Sequence, residues 1–235
     1  METKNIILHE SIRMEIYREF SKCFKYPDPL LLPSLAHLLE LLESIGSGGH
    51  GNIACMIDDL QQSELTELIS VDYSRLFLGP YTVLTPPYGS VYLEDNRRVM
   101  GDSTIDAIRY YRESGLVINE IFYDVPDHVS VELEFIYFLI FHEIKAIKEE
   151  KPDEAVDYFK KQVSFLKNHF AAWIFIFTDS VESHAETEFY KNLAKACNAF
   201  IEEEIAEIID PDETGTSFKK VSSHEKTSNH VTPNI

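Results

Sequence analysis

The chain has 235 residues, with 40 acidic side chains against 21 basic ones and a formal net charge of −19. That balance excludes phosphate-backbone binding as a main function, which needs clustered Lys and Arg; it suits a cationic partner and also serves solubility. With 44% hydrophobic and 12% aromatic residues, the chain can bury a core of its own, as one main domain over 1–210 with a flexible polar tail over 211–235.

The N-terminus, METKNIILHESIRMEIYREF, mixes charges into its apolar positions and has no signal-peptide core. Ile12, Ile16, Phe20, Cys23 and Phe24 recur at helical spacing until Tyr26-Pro27. Asp28 reads as the N-cap of a second helix with Pro29 in its first turn. Its apolar face is Leu31, Leu32, Leu35, Leu38, Leu39 and Leu42, it ends near Gly46, and it packs antiparallel on the first. The run GSGGHG over 46–51 formally matches G-x-G-x-x-G. It follows a helix, whereas a dinucleotide site needs a preceding strand, so it reads as a flexible loop.

Two helices follow, over about 53–60 and 64–78, the second carrying Leu65, Leu68, Ile69, Leu76 and Phe77 on related faces and stopping at Gly79-Pro80. A proline-dense loop with Tyr81, Tyr88 and Tyr92 comes next. Asp102 or Ser103 can cap a helix containing Ile105, Ile108 and Tyr111, closed by Gly115 in a left-handed position. Another helix begins at Pro126; from Val129 to Ile147 its apolar residues point in nearly every direction, as in a central helix. Pro152 opens a helix bearing Phe165, Leu166, Phe170, Trp173, Ile174 and Phe177, and Ser183 with Glu186 forms a capping box for the last one, down to Ile209. No strand pattern emerges, so the fold class is all-α. From Pro211 onward the composition is that of a disordered tail.

Motifs for catalysis are missing. No histidine has Glu three residues before it, as a di-iron bundle requires. His142-Glu143 does not extend to His-Glu-x-x-His, because Ala occupies position 146, and there is no P-loop. Ser90, Asp127 and His128 could suggest a hydrolase, but no nucleophile elbow surrounds the serine. Cys23, Cys55 and Cys197 are odd in number and widely spaced, and read as buried thiols. The longest apolar runs, FIYFLIF and FAAWIFIF, fall far short of the roughly 20 residues of a membrane span. The expectation is a cytoplasmic non-enzyme without metal or cofactor.

The stretch YSRLFLGPYTVLTPPYGSVY, from Tyr73 to Tyr92, carries more information. Prolines stiffen such a loop and tyrosines can seal a core beneath it. The same rings, beside the acid of Pro126-Asp127-His128, also suit a peptide that is partly apolar and partly cationic. Asp127 at a helix start equally complements the helix dipole, and spacing alone leaves both readings open.

Here the chain resembles the TorD/DmsD family of cytoplasmic chaperones for molybdenum-cofactor oxidoreductases. The resemblance rests on Tyr73-x-x-Leu76-Phe77-x-Gly79-Pro80, Pro86-Pro87-Tyr88-x-Ser90-Val91-Tyr92, Met100-Gly101-x-Ser103-Thr104 and Pro126-Asp127-His128, with weaker agreement through Phe165-Leu166-x-x-His169-x-x-x-Trp173. It spans roughly residues 10–205. It implies a single-domain helical bundle of the TorD/DmsD type that binds the twin-arginine leader of a molybdopterin oxidoreductase and holds the enzyme for cofactor insertion before export. The implied peptide-binding residues are Tyr73, Leu76, Phe77, Tyr81, Pro87, Tyr88, Asp127 and His128. In that scheme the first six form an apolar wall, Asp127 engages a cation, and His128 orients the acid or bonds the peptide backbone. Tyrosines stand at 73, 81 and 88 where relatives often have tryptophan, and Ser130 replaces a glycine, a change expected to tighten the helix start. The rival readings are a nucleotide-directed hydrolase and a structural helical subunit of a redox complex. The protein is expected as a monomer or a dimer swapped through hinges near Gly46 and Asp95.

Overall fold

The computed structural model describes residues 2–79, 82–95, 98–116 and 125–208. It is all-helical, and the described residues form α1 Glu2–Cys23, α2 Leu31–Ile45, α3 His50–Gln61, α4 Ser63–Tyr73, α5 Gly89–Leu93, α6 Asp102–Glu113, α7 Val129–Lys148, α8 Pro152–Asn168, α9 Ile174–His184 and α10 Glu188–Ile208. A π-helical turn, Ser74–Leu78, continues α4, and a 3-10 turn, Phe170–Ala172, separates α8 from α9. The sole β feature among the described residues is an isolated antiparallel bridge between Tyr88 and His128.

Helix α7 packs against α1 and α8, α1 against α2, and α3 lies against both α2 and α10, which in turn meets α9. Ile16, Phe20, Leu35, Leu133, Ile136, Phe165, Phe177 and Phe200 are among the side chains enclosed in one continuous core. Inside it, Arg13 is almost fully buried. Its Nε donates to Glu204 Oε1 at 2.8 Å and its other nitrogens to Glu10 and Glu204. Tyr17 donates its hydroxyl to the same Glu204 at 2.9 Å, tying α1 to α10. A buried guanidinium needs such pairing, since desolvation would otherwise outweigh the attraction.

Several local starts differ from the sequence reading. Helix α2 begins at Leu31, not at Asp28, because the Asp28 carboxylate accepts the Leu30 amide at 2.8 Å and closes a turn ahead of the helix. Helix α7 begins at Val129 with His128 as its cap, since the Pro126–His128 segment is used in a bridge. The helix from Pro152 is broken at His169, whose backbone leaves the helical region. The Ser183/Glu186 box is replaced by a distant cap: Asp72 Oδ2 accepts the amides of Glu186 and Thr187 at 3.1 and 2.8 Å.

Side-chain placement brings further corrections. Leu32, Leu68, Ile105 and Phe141 are exposed, so their faces look outward instead of into the core. Cys23 and Cys197 are buried, but Cys55 is exposed on the outer side of α3. Over GSGGHG, Gly46 ends α2 in the left-handed region, and a Cβ on Gly49 would lie 2.9 Å from the Ala196 carbonyl oxygen. That glycine run serves close packing of α3 on α10. Ile209 and the tail from 211 lie outside the described residues.

Candidate functional site

The stretch beginning at Tyr73 opens with a change of helical pitch. At Ser74 the chain widens to π geometry, and the Gly79 amide donates to the Ser74 carbonyl, five residues back, at 2.7 Å. Gly79 has φ 59°, and a Cβ there would lie 2.6 Å from the Thr82 carbonyl oxygen, so the turn requires glycine. Thr85 then folds back, its amide and hydroxyl both donating to the Leu76 carbonyl at 2.9 and 3.2 Å. Tyr73, Leu76 and Phe77 point inward and are buried. Tyr73 meets Tyr26 and Phe77 at ring-centroid distances of 5.3 and 5.0 Å, and Phe77 meets Tyr190 and Phe177 at 5.6 and 6.0 Å.

The second half joins two segments distant in sequence. The Pro87 carbonyl accepts the Val129 amide and the Asp127 carbonyl accepts the Gly89 amide, both at 2.9 Å, which sets Tyr88 beside His128. Their rings meet edge to face at 5.3 Å. Asp127 Oδ2 accepts the Ser90 amide at 2.7 Å, capping the short α5 from another segment. Asp127 is fully buried, and its Oδ1 has no hydrogen-bond partner among the described residues. His128 Nδ1 accepts the Ser130 amide at 3.1 Å and lies 2.8 Å from the Ser130 hydroxyl. Of these two contacts at the start of α7, only the hydroxyl one depends on serine; the amide would serve equally in glycine.

Buried groups brace this junction. Tyr111 donates its hydroxyl to the Pro126 carbonyl at 2.7 Å. Glu132, fully buried on α7, accepts Trp173 Nε1 at 3.0 Å and pairs with His169 Nε2 at 2.9 Å. Burial raises the Glu132 pKa. For His169 burial opposes the charged form, but the adjoining Glu132 carboxylate raises its pKa overall. Trp173 also fills the space beside Gly89, where an added Cβ would lie 3.0 Å from Nε1. Met100-Gly101-x-Ser103 attaches to α5 in turn. Glu94 accepts the Ser103 amide and hydroxyl at 3.0 and 2.8 Å, which lowers its pKa, and Met100 donates its amide to Ser90 Oγ at 3.3 Å. A side chain at Gly101 would collide with the Glu94 carboxylate.

Of the anticipated residues, Pro87, Tyr88, Asp127 and His128 form one hydrogen-bonded unit, and Tyr73, Leu76 and Phe77 form the adjoining ring stack. Tyr81 lies outside the described residues. Only Tyr88 of these seven is half-exposed; the other six are buried. The outer face of the same segment escaped the sequence reading: Tyr26, Leu68, Val71 and Leu78 are 55%, 51%, 58% and 58% exposed. Their signal was the spacing of Leu68, Val71 and Leu78 along one helical stripe. Ser90 Oγ accepts the Met100 amide and His128 Nδ1 the Ser130 amide. Glu15, Glu19 and His37 come close enough to share a cation, but Arg18 and Lys22 already lie 2.5 and 2.8 Å from the two carboxylates.

The chain as a whole is similar to known proteins. Residues 34–179, from α2 into α9, match the family described as nitrate reductase delta subunit. The chain is 28% identical over 146 residues to "Probable Tat proofreading chaperone DmsD" of Haemophilus influenzae, a match spanning 62% of each chain. It is 23% identical over 197 residues to the chaperone protein TorD of Vibrio parahaemolyticus, covering 80% of this chain and 90% of that one. Among solved structures it is similar to a protein assigned to redox enzyme maturation from Archaeoglobus fulgidus, with TM-score 0.52, 28% identity, and coverage of 80% of this chain and 93% of the other.

Proposed function

This chain belongs to the nitrate reductase delta subunit family, the TorD/DmsD group of redox enzyme maturation proteins, and on that premise we propose that it is a cytoplasmic chaperone for a molybdopterin oxidoreductase. It binds the enzyme's twin-arginine leader and retains the enzyme until its cofactor is inserted. The observation that carries this reading is the joining of Pro87-Tyr88 to Asp127-His128, two motifs about 40 residues apart, in one braced unit whose half-exposed member is a tyrosine. Such a unit presents a ring on a rigid mount, and aromatic anchors of this kind dominate peptide affinity. A net charge of −19 adds long-range attraction for a leader carrying two guanidinium groups.

A leader arginine would pair with Asp127 Oδ1, the buried oxygen without a partner among the described residues, after local opening exposes it. His128 holds the start of α7 and borders the same position. No described helix is long and apolar enough to cross a membrane.

Calorimetric titration with twin-arginine leader peptides tests the reading, alongside sequence-scrambled and Arg-to-Lys versions. Native leaders are expected to bind, scrambled ones not. Tyr88→Ala and Asp127→Asn should each weaken binding by about tenfold or more. The asparagine keeps an acceptor for the Ser90 amide, so its loss reports the charge. Equal binding of leader and scramble would sink the proposal.

A further inference from the structure

The outer side of α4 and its π-helical extension is built unlike the rest of the helix. While Ile69, Tyr73, Leu76 and Phe77 face the core, Val71 and Leu78 face solvent and, with Tyr26, wall an open groove of about 740 Å³. Its remaining lining is small or charged: Ser70, Ser74, Gly79, Glu67 and Arg75. Leu68, one turn before Val71, extends the apolar stripe toward the start of α4. Bulky apolar side chains held in water along one stripe mark an interaction surface.

Charge identifies the occupant. Arg75 is already neutralised: it donates to Asp72 Oδ1 at 2.8 Å and to the His184 carbonyl, and lies 3.4 Å from Glu186. Glu67 forms no ion pair among the described residues, which leaves the groove apolar with one uncompensated negative charge at its edge. We infer that this groove holds the apolar run of a peptide whose cationic residues lie beside that run, with Tyr26, Val71 and Leu78 taking the aliphatic side chains and Glu67 facing the positive end. The inference rests on the leader-binding reading above and assigns the apolar part of the leader to a face separate from Tyr88 and Asp127. Tyr26 anchors the groove to the core, since its ring packs on Tyr73, which continues into the buried stack through Phe77. The π-turn gives the groove its shape: its wider pitch sets Ser74, Arg75 and Leu78 along one edge and ends at Gly79.

Val71→Asp and Leu78→Asp test this without disturbing the core, because both side chains are exposed. The probes are a synthetic peptide with two adjacent arginines followed by a Leu/Ala run, and the same peptide with the run replaced by Gly/Ser. Both variants should keep the wild-type helical circular dichroism and bind the full peptide at least about tenfold more weakly. Glu67→Gln should weaken it less, and only at low salt. The Gly/Ser peptide should bind wild type and variants alike, through the Tyr88 side. Unchanged affinity for the full peptide in both aspartate variants, while Tyr88→Ala loses it, overturns the groove assignment and leaves the leader reading standing. Failure of wild type to bind either peptide overturns both. A wild-type dimer that Leu78→Asp converts to monomer in sedimentation gives the groove to a second copy, and equally overturns the assignment.

Discussion

Single residues decide the geometry around the loop, and Gly79 is the clearest. Its positive φ and the approach of the Thr82 carbonyl leave no room for a Cβ. Gly79→Ala is therefore expected to lower stability by about 1–3 kcal/mol, read as a shifted urea midpoint at unchanged slope. A midpoint equal to wild type would show that the turn relaxes freely. The Gly79-Pro80 break was readable in the sequence, because those two residues end helices wherever they occur together. What stands against Gly79 was not, since the contact depends on how the following loop returns to Leu76. Asp127 is a similar case. An Asp before a helix reads equally as a surface acid or a dipole partner, and only the Ser90 amide, 37 residues upstream, makes it an enclosed cap. Cys55 and Leu68 were misjudged for a related reason: an apolar or thiol side chain does not state which side of its helix meets the core.

Elements were legible where periodicity ran long and uninterrupted. The interiors of α1, α2 and α7 were marked by their apolar repeats, although Leu32 and Phe141 turn outward, and the Pro152 start of α8 was marked by proline itself. Boundaries set by distant partners were not: Asp72 caps α10 across 114 residues, and no local capping rule reaches that far. The π-turn after Tyr73 likewise has no sequence signature beyond the glycine that closes it. Within α7, the burial of Glu143 had no sequence signal, because an acid between His142 and Lys145 looks like an exposed position. It is enclosed beside Gln162, whose Nε2 donates to it at 2.5 Å. Burial, reinforced by the charge of Glu10, pushes its carboxyl from the usual 4.5 up to about 8. The folded state therefore keeps a proton that the unfolded chain releases. Its contribution to stability is complete below the unfolded value and is lost as pH rises toward the folded one. Glu143→Gln should remove that part of the pH dependence, so that the melting temperature of wild type falls relative to the variant between about pH 5 and pH 8. Parallel curves for the two proteins would mean that Glu143 is ionised throughout.

At the scale of the whole molecule, the sequence announced an acidic, all-helical chain, and the fold organises it around α7, with α1 and α8 packed against it. The four motifs that carried the resemblance turn out to be mechanically connected. Leu76 is tied to Thr85, Pro87 and Gly89 to Val129 and Asp127, and Ser90 to Met100. These links were invisible in spacing because each joins residues whose neighbourhood is set by the folded chain, through backbone groups or, at Ser90, a side-chain hydroxyl. Among the described residues of the segment Tyr88 is half-exposed and Leu78 exposed, and Tyr26 and Val71 are exposed as well. Amide hydrogen exchange with and without bound leader reads whether a twin-arginine leader is held on this surface, as proposed. Slowed exchange is expected over residues 67–79, 87–91 and 127–131, with α8 and the middle of α10 unchanged. Protection confined to other faces, or absent at saturating leader, would contradict the account.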